Sequence, residues 1–321
     1  MTASSLIGFG VVFLLVCGTT SALTTLTLMA RRRVLARRGP AVQRRGTELA
    51  ATIPALLATA VVAILVLESL VGTDHCDTHG DHAHLCLQHG SIWIQRGWAV
   101  VALVAGAAVV GARVVVLAIG IVRGRVMVSR LRGTAEVSRG VQLVESERVF
   151  CFVAGIVRPT IFVSTAARSA LTSDEWDAML AHERSHVHHR DLSRRLRLEL
   201  LLLFSAPLAA IVIREQWDVA TERLRDADAA ETVGSPETVA SALVQMARQL
   251  TLARVAAGAA FTPHGEHVLT ARVESLLDAS PRGEPDARRL TRVALVTSTA
   301  FVAIAAVFAE PLHHALETLL G

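Results

Sequence analysis

Four long apolar blocks decide most of what this chain can become. Leu6 to Ala30 runs for about 25 residues without a charge, enough to cross a bilayer as a helix. Leu49 to Val71, Gly97 to Val122 and Val293 to Ala309 follow, the last at the short end of the range. Such segments must satisfy their own backbone groups in lipid, which only helices and closed barrels do. The expected fold is therefore an α-helical polytopic membrane protein with four transmembrane helices. The composition agrees: 52% of the 321 residues are hydrophobic and the mean hydropathy is +0.47.

The charges between the blocks give an orientation. "MTASS" precedes the first block and "RRRVLARRG" follows it, the reverse of a signal peptide. Residues 31 to 45 carry seven arginines, as a cytoplasmic loop does. The second span then returns outward, with Glu68 near its outer end, and residues 72–96 form an outer loop. The third span leads inward to "RGRVMVSRLRG", and Arg288, Arg289 and Arg292 stand before the fourth. Both termini are expected outside. Residues 1–122 hold three spans (about 6–30, 49–71 and 97–122), residues 123–289 form a cytoplasmic domain, and residues 290–321 form the last span with a short outer tail. The net charge is +4 and the pI about 9.4. All the basic residues are arginines, and they cluster beside apolar blocks, which is a topology signal and not a nucleic-acid footprint. Arg113 lies inside the third span. An intramembrane arginine is either functional or a snorkelling or structurally paired side chain.

The middle region changes character. "RGVQLVESERVFCFVAG" and "PTIFVSTAA" are rich in Val, Ile, Phe and Thr and are punctuated by Gly and Pro, which predicts short strands. "TSDEWDAMLAHERSHVHHRDLSRRLRLELLLLF" reads as one helix, with Thr172 or Ser173 as its cap ahead of Asp174 and Glu175. "VATERLRDADAAET" and "SPETVASALVQMARQLTLARVA" read as further helices.

Within the long helix stands "AHERSHVHHRD". His182, Glu183 and His186 fit H-E-x-x-H. Positions i and i+4 share a helix face, so both imidazoles can bind one zinc ion, and Glu183 can take a proton as general base. The same pattern also arises on a solvated helix face by coincidence. Downstream, Glu222 and Asp226 lie four residues apart on one face. Glu222 can complete a His2Glu set and Asp226 can orient a ligand histidine. A surface charge paired with an arginine accounts for Glu222 equally well on spacing alone. His188 and His189, six and seven positions after His182, cannot join the same tetrahedral site on an unbroken helix.

Taken together, "GIVRPTIFVSTAA", "TSDEWDAMLAHERSHVHHRDL", the apolar helix with Pro207, "ERLRDADAA" and "ARVESLLD" resemble the BlaR/MecR antirepressor metallopeptidases over roughly residues 137–280. The resemblance implies a gluzincin-like α+β zinc metallopeptidase domain facing the cytoplasm of a bacterium. It implies one catalytic Zn2+ on His182, His186 and Glu222, with Glu183 as base and Asp226 behind the ligands. Asp191 matches a recurrent aspartate after the zinc helix and stands with Asp226 behind the ligands. The implied substrate is a protein, a cytoplasmic DNA-binding repressor of the BlaI type; membrane lipid is the other partner, and this chain itself touches no nucleic acid. An HtpX-type quality-control protease shares the zinc motif. A metal-sensing receptor with a structural zinc site would have no use for Glu183. Well-known members end in a large outer penicillin-binding sensor, whereas this sequence stops at Gly321, so sensing of a β-lactam by that route is not expected.

The outer loop "GTDHCDTHGDHAHLCLQHG" adds His75, His79, His82, His84 and His89 to Asp74, Asp77 and Asp81. It reads as a zinc or copper site or as a plain polar loop, and Cys76 with Cys86 as a disulfide pair in an oxidising compartment. Cys17 and Cys151 read as core or span residues. Last, residues 198–213, "LELLLLFSAPLAAIVI", tempt a further span. A single crossing would strand Glu222 on the side opposite His182, so the segment is expected to turn back near Ser205–Pro207 or to lie along the membrane face.

Overall fold

A computed structural model describes residues 3–71, 97–138, 140–256, 263–278 and 282–308. The loop expected outside the membrane, with its five histidines and with Cys76 and Cys86, falls beyond the described residues. Among those described, four helices are long and apolar enough to cross a membrane: Ile7–Ala30, Pro40–Leu67, Val100–Thr134 and Glu284–Val307. They belong to α1 (Ala3–Ala30), α3 (Pro40–Val71), α4 (Gly97–Thr134) and α11 (Glu284–Val307), and the short α2 (Arg32–Arg37) joins the first two. The arginine-rich stretches are thus largely helical. The loop expected over residues 31–45 is α2 plus the first turns of α3, and α4 runs twelve residues past Val122. Arginine is a good helix former, so the end of an apolar run marks where the bilayer stops and not where the helix does. α1 packs on α3, and the starts of α3 and α11 meet where Arg45 Nε donates to Thr291 Oγ1 at 2.7 Å.

A four-stranded sheet follows: β1 (Glu136–Ser138), β2 (Val141–Val144), β3 (Cys151–Ala154) and β4 (Thr160–Ser164), in the order β1-β2-β4-β3. β2 and β4 are parallel and the other pairs antiparallel. β2, β3 and β4 fall where the sequence predicts strands. β1 was not expected, because "EVS" is too short to show alternation, and all three of its residues are exposed. Beneath the sheet, Val141, Ile161, Val163, Trp176, Met179 and Leu180 form one core cluster.

The helical part consists of α5 (Thr165–Ala170), α6 (Ser173–His188), α7 (Asp191–Leu201), α8 (Pro207–Val233), α9 (Pro236–Ala256) and α10 (Pro263–Leu277). α6 opens on a capping box in which Thr172 and Glu175 satisfy each other's backbone N–H. The single helix expected from residue 172 to 204 is broken. Arg190 takes φ 53°, the left-handed region, and α7 starts afresh at Asp191.

The tempting apolar segment turns back. α7 runs into a 3-10 turn (Leu202–Phe204), Ser205 is extended, and Pro207 opens α8, where its missing N–H costs nothing. The tip of this hairpin sits among the spanning helices. Phe204 meets Phe13 edge to face at 5.3 Å, Ala206 N–H donates to Ser21 Oγ at 3.3 Å, and Leu198, Leu202 and Ile213 pack with Leu28, Ala50 and Ala51. Arg113, the arginine inside α4, donates to the carbonyls of Leu202, Leu203 and Ser205 at 2.8, 2.9 and 2.6 Å. The Leu202 carbonyl also accepts from Ser205 N–H at 3.1 Å, and the arginine adds a charged donor for all three at the turn that ends α7.

Candidate metal centre and active site

α6 carries His182 and His186 one turn apart, and α8, packed against α6, brings Glu222 to both. The two Nε2 atoms are 3.1 Å apart. Glu222 Oε2 is 3.5 Å from His182 Nε2 and its Oε1 is 3.6 Å from His186 Nε2. A tetrahedral zinc ion with bonds of about 2.0–2.1 Å keeps its ligand atoms about 3.3 Å apart. The three donors therefore have the spacing such an ion would impose, and they are the group among the described residues that can hold a metal.

Each imidazole is fixed from behind. His182 Nδ1 is 2.9 Å from Asp226 Oδ1, and His186 Nδ1 is 2.9 Å from Asp191 Oδ2. His186 Nδ1 is hydrogen-bonded to its carboxylate, His182 Nδ1 lies at ion-pair distance from its own, and both Nε2 atoms face inward. The break at Arg190 makes the second contact possible. On an unbroken helix residue 191 would lie about 140° round the axis from His186.

The carboxylates are held in turn. Arg272, on α10, donates to Asp226 through Nε and Nη2 at 2.8 and 2.6 Å, and its Nη1 lies 3.0 Å from Glu222 Oε2. Arg225, only 2% exposed, has Nε 3.0 Å from Asp191 Oδ2 and Nη1 donating to Asp228 Oδ2 at 2.6 Å and Ser185 Oγ at 2.8 Å. Sequence reasoning missed Arg225, Arg272, Asp228 and Ser185. Arg272 carried a signal, since it stands in the "ARVESLLD" stretch. Arg225 carried none, because an arginine between two acidic residues reads as surface charge. His189 is drawn aside to Asp228, 3.3 Å away, and His188 lies edge-on to it.

Glu183 is buried and lines a cavity of about 440 Å³ with the three donors, Cys151 and Trp217. Burial raises the Glu183 carboxyl above its ordinary range, and the positive groups around it offset this only in part. Burial likewise raises the Cys151 thiol, so this half-buried cysteine stays protonated. For Glu222, burial is outweighed by the hydrogen bond from His182 and by the nearby Arg272, which together hold its carboxyl well below the carboxylate range. Burial opposes charge on His182, but its contacts with Asp226 and Glu222 prevail and push it up to about 10. The centre is thus built to hold positive charge between the rings. A divalent ion held there would answer the same carboxylates.

A family model described as BlaR1 peptidase M56 matches residues 51–276, well over half of the chain. The chain belongs to the M56 peptidase family. The match covers α6, α7 and α8 with all three donors, and it runs through most of α10, which brings Arg272. Membership of M56 makes the protein a metallopeptidase by family, and the four apolar helices make it a membrane protein. No curated protein and no solved structure matches the chain.

Proposed function

We propose that this M56 protein is a zinc endopeptidase of the cytoplasmic membrane, working on the cytoplasmic face. Its substrate on this reading is a DNA-binding repressor of the BlaI type, cut after a signal from outside. The observation that carries the reading is the pair of inward-facing Nε2 atoms closed by Glu222, with the buried Glu183 beside them. Bound zinc would supply Lewis acidity for water activation and carbonyl polarisation. The protein supplies the rest. His182, His186 and Glu222 would hold the ion, while Asp226 and Asp191 keep the rings in register. Glu183 takes the proton of the attacking water and passes it to the leaving amine. A cavity of about 440 Å³ accepts a few side chains and no folded domain, so the bond cut must lie in an exposed flexible segment of the substrate.

The test is purified protein in micelles with a winged-helix repressor encoded beside it, and mass spectrometry of the fragments. A single cut that stops on chelation and returns with zinc is expected. Cleavage that survives the chelator would remove the metal from the reaction.

The sidedness has its own test. Glu215 and Arg184 are exposed on α8 and α6, on the two sides of the hairpin. In a background lacking the four native cysteines, Glu215→Cys and Arg184→Cys should both resist an impermeant thiol reagent in intact cells and react once the membrane is opened. Labelling of either from outside would overturn the cytoplasmic placement.

A further inference from the structure

A second cavity, of about 1080 Å³, lies between α4 and α7 and is not needed by the chemistry above. Val116, Gly120 and Gly124 of α4 form one wall, and Leu192, Leu196 and Leu203 form the other. The apolar stretch of α4 has none of its residues buried in the described structure, so the cavity lies open towards the hydrocarbon of the bilayer. Arg113 closes its deep end. Arg125, Arg132 and Arg158, all exposed, line it at the end where α4 leaves its apolar stretch.

Charge along this cavity is uneven. At depth the cations already have partners: Arg195 and Arg214 both donate to Glu199, Arg195 also pairs with Asp218, and Arg113 donates to backbone carbonyls. At the other end, neither Arg125 nor Arg158 has an acidic partner among the described residues, and Arg132 gives its Nη2 only to Thr160 Oγ1 and to the Arg158 carbonyl. Arg113 and Arg125 are twelve residues apart on one helix, a rise of about 18 Å. That is close to the roughly 15 Å of one hydrocarbon leaflet.

We propose that this cavity holds an anionic phospholipid, with its acyl chains between α4 and α7 and its phosphate among Arg125, Arg132 and Arg158. The inference rests on the chain lying in a membrane and not on its substrate. An extended peptide could pair with the edge strand β3 at one end, but along the apolar length between α4 and α7 its backbone N–H and C=O groups would go unsatisfied. A helix from a second copy would leave the three guanidinium groups unanswered, and free phosphate would leave the apolar length empty. A lipid answers both ends, and basic pockets beside transmembrane helices suit anionic headgroups. Phe152, Val153, Leu192 and Arg195 line both this cavity and the metal-site cavity. The lipid therefore lies across a shared wall from the catalytic chamber.

The full-length protein, reconstituted from vesicles of equal phosphatidylglycerol and phosphatidylethanolamine, should carry a tightly held phosphatidylglycerol in native mass spectrometry. Each arginine near a headgroup contributes about fivefold in affinity, so Arg125→Gln with Arg158→Gln should weaken retention about 25-fold. Gly120→Leu with Gly124→Leu should also expel the lipid while the protein stays folded, because an added Cβ at either position meets nothing within 4 Å. Excess inorganic phosphate should not displace it. Equal retention of both lipids, retention unchanged in both double variants, or displacement by phosphate would each overturn the proposal. So would a dimer that keeps lipid out and that the two leucines break.

Discussion

Glu183→Gln should abolish cleavage, by about 10²- to 10⁴-fold, and leave the bound zinc in place. The substitution keeps the volume of a side chain that is 9% exposed. It removes only the ability to take a proton. It also puts a neutral group where burial already works against charge, so the fold should tolerate it. The ligands, the carboxylates behind them and the two arginines are untouched. His182→Ala and Glu222→Ala must behave differently, since each deletes a donor from a set of three and should lose metal and activity together. Metal content by mass spectrometry, with repressor cleavage on the same samples, separates the two outcomes. The sign of the pH dependence follows from the same burial. A base works only when deprotonated, so the acid limb of the profile should lie above the ordinary carboxylate range. A Glu183→Gln protein that cut at the parental rate would leave Glu183 without a role in proton transfer.

How much of this could be read from sequence varies with the range of the interaction. His182 and His186 lie on one helix, and 3.6-residue periodicity alone places them together. The spans were equally legible, since lipid leaves a chain few choices. Glu222 needed the resemblance: 36 residues, a broken helix and a hairpin separate it from His186, and nothing in its own spacing distinguishes it from a surface acid. The break at Arg190 was illegible for a simple reason. "HHRDLSRRL" contains no glycine or proline, and a non-glycine residue at positive φ leaves no mark in composition. Tertiary contact holds it, because only the broken chain lets Asp191 reach His186. α5 and α10 also went unread. The second spans Pro263–Leu277, where one stretch showed as a motif and not as a helix that delivers Arg272 to Asp226.

Arg113→Met should destabilise the protein by about 2 kcal/mol or more, since the Leu203 and Ser205 carbonyls lose their donor and each buried carbonyl so left costs about 1–3 kcal/mol, while Leu202 keeps the Ser205 N–H. One guanidinium serves the carbonyls of Leu202, Leu203 and Ser205. These lie where α7 ends among α1, α3 and α4, at a depth where bulk water is scarce. The two sequence readings of this arginine, a functional group or a structural pair, meet here. Its charge answers the negative end of α7, and it ties α4 to a hairpin whose arms carry Asp191 and Glu222. Loss of the cap should free the tip before it disturbs the metal residues. The melting temperature in micelles should therefore fall, and a protease should gain access at residues 202–206 while the zinc content of the folded fraction stays near that of the parent. Arg113→Lys keeps a charge and three donors on a shorter, rounder head, so it should recover part of the stability, whereas methionine, similar in apolar bulk, should recover none. An Arg113→Met protein that melts with the parent and resists cleavage at the tip would show that water or lipid caps α7 as well as the guanidinium does.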